Sequence, residues 1–543
     1  MNLRSWRSVM ALCVSAVCAL ALVACGNDDD SDSARAARAF AAAMANQDVQ
    51  TASDLTTSPS QAADALSASF AGMHARTVDA TIGNTVEYSD GTASFTMTTT
   101  WHWSDDRDYA TTTTGSLRRL STGWKVQWEQ SLLKTGMPVG ARLQMVRTDA
   151  TPAPTVRSAS GKAFMTMQPV NEIMINPAAT RNLQRSVNAL AAALKPIAPL
   201  VTAKVINEKI VAAQGGEALA VTLRDPDMKV LASDPERISG VTVVKTGMLV
   251  MSDRRLSTPL STGLTNYWQA VRNATSGWQV QEATPGAKPV KLAGEQGRPA
   301  PDIMTTINQN EQLTLGDAVV EVAQPATVMS FDAETGGILA MAQNDAAADH
   351  RIQADIAYPT GSTLDPVFGA IDDTATDADQ ARARWQHLGL GLTFTVPGVV
   401  GPPGSSSASV SAASFRPQNF TATMLNMGIL GVSVARSLKG SPTSVPPYLI
   451  KDTPTKVSGG ELGAMDAATV ARVAAQMAVV ARRGDASDLT GAPGLRALVG
   501  TNGPAGPGWF VGISGGKVIV VYCEGDASGT AALQVAQKYY RLD

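Results

Sequence analysis

In YPTGSTLDPVFGA, Ser362 follows Gly361 and precedes Thr363 at a predicted helix start, and Asp365 comes three residues later. A serine hydroxyl is a working nucleophile only when a neighbouring base takes its proton. Asp365 lies one helical turn on, but an aspartate of ordinary pKa ~3.9 is ionised at neutral pH and is a feeble base for a hydroxyl. It also adds negative charge where an alkoxide would need stabilising. The same two residues suit a structural role. Ser362 can accept a backbone N–H at the helix start while Asp365 reaches back from the third helical position, as in a capping box. A carboxylate there also suits the positive end of the helix dipole. Ser362 is thus open to three readings: a nucleophile, the remnant of one, or a helix cap. The acidity of Asp365 favours the cap.

Other chemistries have less support. His74, His102, His350 and His387 are scattered, and no HxxxH or CxxC spacing exists, so no metal site and no cofactor are expected. The net charge is −3 with no Lys/Arg run, which argues against nucleic acid as a partner. Arg4 and Arg7 precede an apolar run over Val9–Ala24 that ends in LVAC. A positive segment, a short apolar stretch and small residues at its end describe a secretory signal. LVAC is similar to a bacterial lipobox, so 1–25 is expected to be a signal peptide with lipid attached at Cys25. Residues 26–33, GNDDDSDS, are expected to be a solvated acidic tether. Cys13 and Cys18 lie within the signal, which leaves Cys523 alone in the folded part and excludes an intrachain disulfide after processing.

The elements that must position these residues follow from periodicity. The chain has 543 residues, 44% hydrophobic and 17% charged, as expected of a multidomain globular protein. Ala37, Phe40, Ala41 and Met44 fall on one face of a helix predicted over 34–46. Phe95, Met97, Thr99, Trp101 and Trp103 alternate with small or polar residues, as do Trp124, Val126 and Trp128, which predicts half-buried strands. The region 34–145 is therefore an expected α+β unit. NLQRSVNALAAALKPIAPL predicts a helix, ISGVTVVKTGMLVMSD predicts strand, and Glu282–Asp302, rich in Pro and Gly, predicts a linker. In the last part ATVMSFDAETGGILAMAQN and WFVGISGGKVIVVYC each predict a hairpin, and helices are predicted over Ala467–Gly484 and Thr530–Leu542. An antiparallel sheet covered by helices is the expected result.

The order of these pieces resembles the class B penicillin-binding proteins of the lipoprotein, methicillin-resistance type. GWKVQWEQSLLKTGMPVGARL is similar to that family's W-x-V-x-W … P-x-x-G-x-x-L junction. YPTGSTLDP is similar to its Y-x-P-G-S-T-x-K-P. TTINQNEQL, QMAVVARRGDA, VGTNGPA and GWFVGI follow the family's further motifs in order. The resemblance implies an α+β multidomain protein. A cone-shaped nuclear-transport-factor-like domain would span 34–145, a mixed pedestal or dimerisation-like domain with linker 146–300, and a transpeptidase-like penicillin-binding domain 301–543. That last domain would be an antiparallel sheet with helices on both faces.

The family's acyl-serine chemistry needs S-x-x-K, S-x-N and K-T-G. Here Asp365 stands at the position of the lysine base. Thr501, Asn502 and Gly503 stand at K-T-G, the substrate-strand motif, without its cation. Asn419, Asn426 and Asn502 are preceded two residues earlier by Pro417, Met424 and Gly500, so no S-x-N occurs there. The Lys-Thr-Gly at Lys245–Gly247 precedes Ser362 and is read as coincidence in a strand. The resemblance with its three failed elements implies an exported lipoprotein on the outer face of the cytoplasmic membrane, expected to be inactive. It would act as a scaffold or regulator beside peptidoglycan or cell-wall synthesis proteins. Two alternatives stand beside it. One is a D,D-transpeptidase or penicillin-binding acyltransferase with Ser362 as nucleophile, helped by a cation such as Lys288, Lys291, Arg382 or Arg384. The other is a glycan- or small-molecule-binding lipoprotein using Trp101, Trp103, Trp124 and Trp128.

Overall fold

The computed structural model describes residues 31–399, 420–501, 503 and 506–543, which form a mixed α+β chain in two compact units. The first unit holds the described residues up to Thr148 together with Gly277–Gln296. Its opening helix, Asp32–Ala45, buries Ala37, Phe40, Ala41 and Met44, the stripe expected from the sequence. The helix begins earlier than expected, because Ser31 caps it and Ser33 is fully buried, donating to Glu87 Oε2 at 2.8 Å. The end of the predicted tether is therefore helix. Two more helices follow, Val49–Asp54 and Pro59–Met73.

A four-stranded antiparallel sheet comes next: Thr77–Glu87, Thr92–Ser104, Arg107–Leu120 and Gly123–Val126, paired in chain order. The second strand buries Ala93, Phe95, Met97, Thr99 and Trp101 and half-exposes the threonines between them, since successive side chains point to opposite faces. A separate three-stranded sheet joins Arg142–Thr148 to Gly277–Ala283 and on to Val290–Glu295. The stretch Glu282–Asp302 is thus a correction. It carries a paired strand, Val290–Glu295, because Gly277–Ala283 supplies its hydrogen bonds and Leu292 and Ala293 pack on the core of the unit, which composition alone does not reveal.

The second unit comprises Asp149–Ser276 and Gly297–Asp543. Ala163–Ile175 pairs with both Ala218–Arg224 and Val241–Met251, and Leu183–Leu194 and Ala203–Ala212 pack on that sheet through Val187, Leu190, Ile206 and Ile210. Lys245–Gly247 lies in the Val241–Met251 strand, as expected. The other sheet has five antiparallel strands in the order Ile338–Gln343, Ala326–Asp332, Lys517–Cys523, Gly508–Ser514 and Arg496–Thr501. Both expected hairpins are present within it.

Its central strands read as unbroken apolar runs because both faces are covered. Val328, Phe510, Ile519 and Val521 face the helices Gln309–Val319 and Ser528–Leu542. Met329, Phe331, Trp509, Val511 and Val520 join the core that contains Met424–Leu438 and Ala467–Arg483. Met424–Leu438 is buried from Met424 to Ala435, as an all-round apolar helix must be. Gly428 and Gly431 allow it to reach the sheet: a Cβ at either would stand 2.4 Å from Phe331 or Val518.

Candidate functional site

The chain approaches Ser362 through Tyr358–Pro359, a two-residue strand paired with Thr421–Ala422. Thr360 reinforces the pairing, donating to the Phe420 carbonyl from its N–H at 3.0 Å and its hydroxyl at 3.1 Å. Trp509 Nε1–H donates to the Pro359 carbonyl at 2.9 Å, and Tyr358 stacks on Tyr522 with ring centroids 4.3 Å apart. Burial pushes the Tyr358 phenol up to about 12, so it stays protonated at neutral pH.

Gly361–Leu364 then forms a 3-10 turn, and the α-helix begins at Asp365 and runs to Asp372. This corrects the capping-box reading. Leu364 is the helix cap and supplies no side-chain bond, and Asp365 is the first helical residue rather than the third. Pro366 accounts for the shift, because its fixed φ and missing N–H suit the first turn of a helix and place the start just ahead of it. Asp365 is exposed; its backbone N–H donates to the Ser362 carbonyl, and its side chain makes no hydrogen bond or ion pair among the described residues. It keeps only the favourable position beside the helix dipole.

Ser362 is also exposed. Its hydroxyl donates to the Thr501 carbonyl at 3.4 Å and accepts the Thr501 N–H at 3.3 Å; these are its hydrogen-bond partners among the described residues. The structure therefore brings Ser362 and Thr501 together across 139 residues of sequence. The contact is through the backbone of the edge strand Arg496–Thr501. The Thr501 hydroxyl turns away and donates to the Gly503 carbonyl at 2.7 Å. Asn502 and Cys25 lie outside the described residues.

Sequence reasoning did not single out Gly500, although it sets the approach of strand to turn. A Cβ there would stand 2.3 Å from Thr363 N and 2.5 Å from its Cα. A glycine one residue ahead of the candidate substrate strand was the available signal.

The cations considered as helpers are placed as follows. Lys288 and Lys291 belong to the Gly277–Gln296 segment of the first unit. Arg384 is paired with Asp466 at 3.8 Å, and Arg382 has contacts of its own. No group of three or more His, Cys, Asp or Glu able to hold a metal occurs among the described residues.

The tryptophans divide. Trp101 is fully buried and tilted on Phe70 at 5.5 Å, and Trp124 is buried in the same core. Trp103 packs on Trp278 and donates to the Met73 carbonyl at 2.6 Å. Trp128 is half-buried at a hollow of about 650 Å³ shared with Gln61, Asp64 and Met137. The four do not line one cavity.

No curated protein matches the chain. Residues 32–140 match the family described as the NTF2-like N-terminal transpeptidase domain, and the matched stretch covers the three helices and the four-stranded sheet of the first unit.

Proposed function

We propose that this is a penicillin-binding-protein-like cell-envelope lipoprotein that has lost acyl-serine chemistry and serves peptidoglycan synthesis as a scaffold or regulator. The family match over 32–140 supports the penicillin-binding-protein-like part of that reading. The Ser362 hydroxyl carries the second half: its hydrogen-bond partners among the described residues are the N–H and C=O of Thr501, and neither is a base. A hydroxyl with no base stays protonated at neutral pH, and an exposed carboxylate at Asp365 repels the acidic end of an acyl donor. The helix-covered five-stranded sheet that presents the turn agrees with a transpeptidase-like domain over 301–543. Lipid on Cys25 would hold the chain at the outer face of the cytoplasmic membrane. Cys25→Ser should move it to the soluble fraction, and retention in the membrane fraction would count against that anchor.

The decisive experiment is incubation of the purified protein with a fluorescent penicillin, read by gel fluorescence and intact mass. No adduct is expected in the wild type or in Ser362→Ala. An adduct in the wild type that is absent from Ser362→Ala would establish the acyltransferase alternative instead.

A further inference from the structure

The four-stranded sheet of the first unit has two unlike ends. At one end lie the turns 88–91 and 121–122, held together by the Arg119 N–H, which donates to the Gly91 carbonyl at 3.0 Å. At the other end lies the turn 105–106. Among the described residues of the first unit, five large hydrophobic side chains are exposed, and three of them stand at the first end: Val86 at 49%, Tyr88 at 50% and Leu120 at 41%. Apolar residues scattered singly over a surface call for no explanation, but three gathered about two adjoining turns do.

Charge divides the same way. The hairpin Arg118-Arg119-Leu120-Ser121-Thr122-Gly123-Trp124-Lys125 carries three cations and no acid. Neither arginine side chain has a hydrogen bond or ion pair among the described residues. The acids nearby are engaged locally: Glu87 accepts from Ser33 at 2.8 Å, Asp90 from the Thr92 N–H at 3.0 Å, and Asp32 pairs with Arg35. The opposite turn is acidic, with Asp105, Asp106 and Asp108 around Arg107.

The start of the folded chain shows what the first end faces. Ser33 is buried against Glu87, the last residue of the first strand, so the opening helix begins beside the exposed turns. Cys25 is six residues before Ser31, and six residues span at most about 22 Å. Lipid on Cys25 would therefore keep these turns within that distance of a bilayer. The chain passes to the second unit beside the opposite turn: Gly277 pairs with Thr148, and Trp278 packs on Trp103 near the end of the second strand.

We propose that this end of the first unit docks on the surface of an anionic phospholipid bilayer. Val86, Tyr88 and Leu120 enter the headgroup layer, where a tyrosine keeps its ring in apolar surroundings and its hydroxyl in water. Arg118 and Arg119 meet the lipid phosphates, and the acidic turn points away. The proposal rests on the lipid-anchor reading for what brings the bilayer near. Fractionation of Cys25→Ser tests that anchor, whereas the following test does not use the lipid.

The chain from Gly26 onward keeps both units whole and can be tethered through an N-terminal hexahistidine tag to phosphatidylglycerol vesicles containing nickel-chelating lipid. Ser121→Cys at the docking turn and Asp105→Cys at the opposite turn each take an NBD label; Cys523 is buried and stays unlabelled. Doxyl-labelled lipid should quench the label at Ser121→Cys about threefold more than the label at Asp105→Cys. That quenching should fall by about half or more in Arg118→Glu/Arg119→Glu, in Tyr88→Ser/Leu120→Ser, and on phosphatidylcholine vesicles. These side chains are exposed, so the melting temperature should not change. Equal quenching at the two turns, or quenching at Ser121→Cys that neither pair of substitutions lowers, would overturn the proposal.

Discussion

Gly500→Ala probes the contact that ties the serine turn to the edge strand. The new Cβ would stand 2.3 Å from Thr363 N, 2.5 Å from its Cα and 2.6 Å from its Oγ1, where ordinary contact begins at 3.4 Å. Two of those three atoms are main chain, so no rotamer change relieves them. Strand and turn must separate by about 1 Å, and overpacking of this kind costs about 1–3 kcal/mol. Replacing glycine within a strand returns about 0.5–1 kcal/mol of conformational entropy, which leaves a net loss of about 1–2 kcal/mol. Separation also breaks the Ser362–Thr501 bonds, but these are exposed and at 3.3 and 3.4 Å, so each contributes well under about 1 kcal/mol. The predicted order is therefore Gly500→Ala clearly more destabilising than Ser362→Ala. In thermal unfolding followed by circular dichroism, Gly500→Ala should lower the midpoint by about 1–3 °C and Ser362→Ala by less than about 1 °C. Adding Thr363→Ala to Gly500→Ala removes only the side-chain part of the clash and should recover little. An unchanged midpoint for Gly500→Ala, or full recovery in the double variant, would refute the reasoning.

Glu311 is buried with both carboxylate oxygens engaged, by Lys517 Nζ at 2.7 Å and by the Tyr539 hydroxyl at 2.9 Å. Lys517→Met leaves that carboxylate without its cation and should cost about 3–5 kcal/mol in urea unfolding. Asp543→Asn, which removes the second and more exposed partner of Lys517, should cost less, and the reverse order would contradict the assignment. His102 lies between Asp108 at 2.6 Å and Asp79 at 3.1 Å on the curved sheet, and its bond to Asp108 is the main cause of a pKa raised above 6.5. The stability it contributes is present below pH 6.5 and is lost as pH rises through the folded-state pKa. The stability difference between wild type and His102→Gln should shrink from pH 5.5 to pH 8.5, and a difference that grows over that range would contradict the pairing.

Residues close in the chain carried most of what the sequence determined. The buried stripe of Asp32–Ala45, the alternation through Phe95, Met97 and Trp101, the two hairpins and the helix Ala467–Arg483 all follow from periodicities of 3.6 and 2. The absence of a lysine after Ser362 was equally plain, because it depends on residue identity alone. The tertiary structure decided the rest. Val290–Glu295 has the composition of a linker and becomes a strand because Gly277–Ala283 and Arg142–Thr148 offer it a sheet. Ser362 and Asp365 have the spacing of a capping box, but the α-helix starts at Asp365, and the hydroxyl bonds instead to a strand 139 residues away. Asp355 is an unremarked residue in RIQADIAY until folding buries it and leaves its Oδ2 without a donor. Local propensity sets what each segment can form, whereas burial and hydrogen-bond partners come from segments distant in the chain, and those partners fix what a side chain can do.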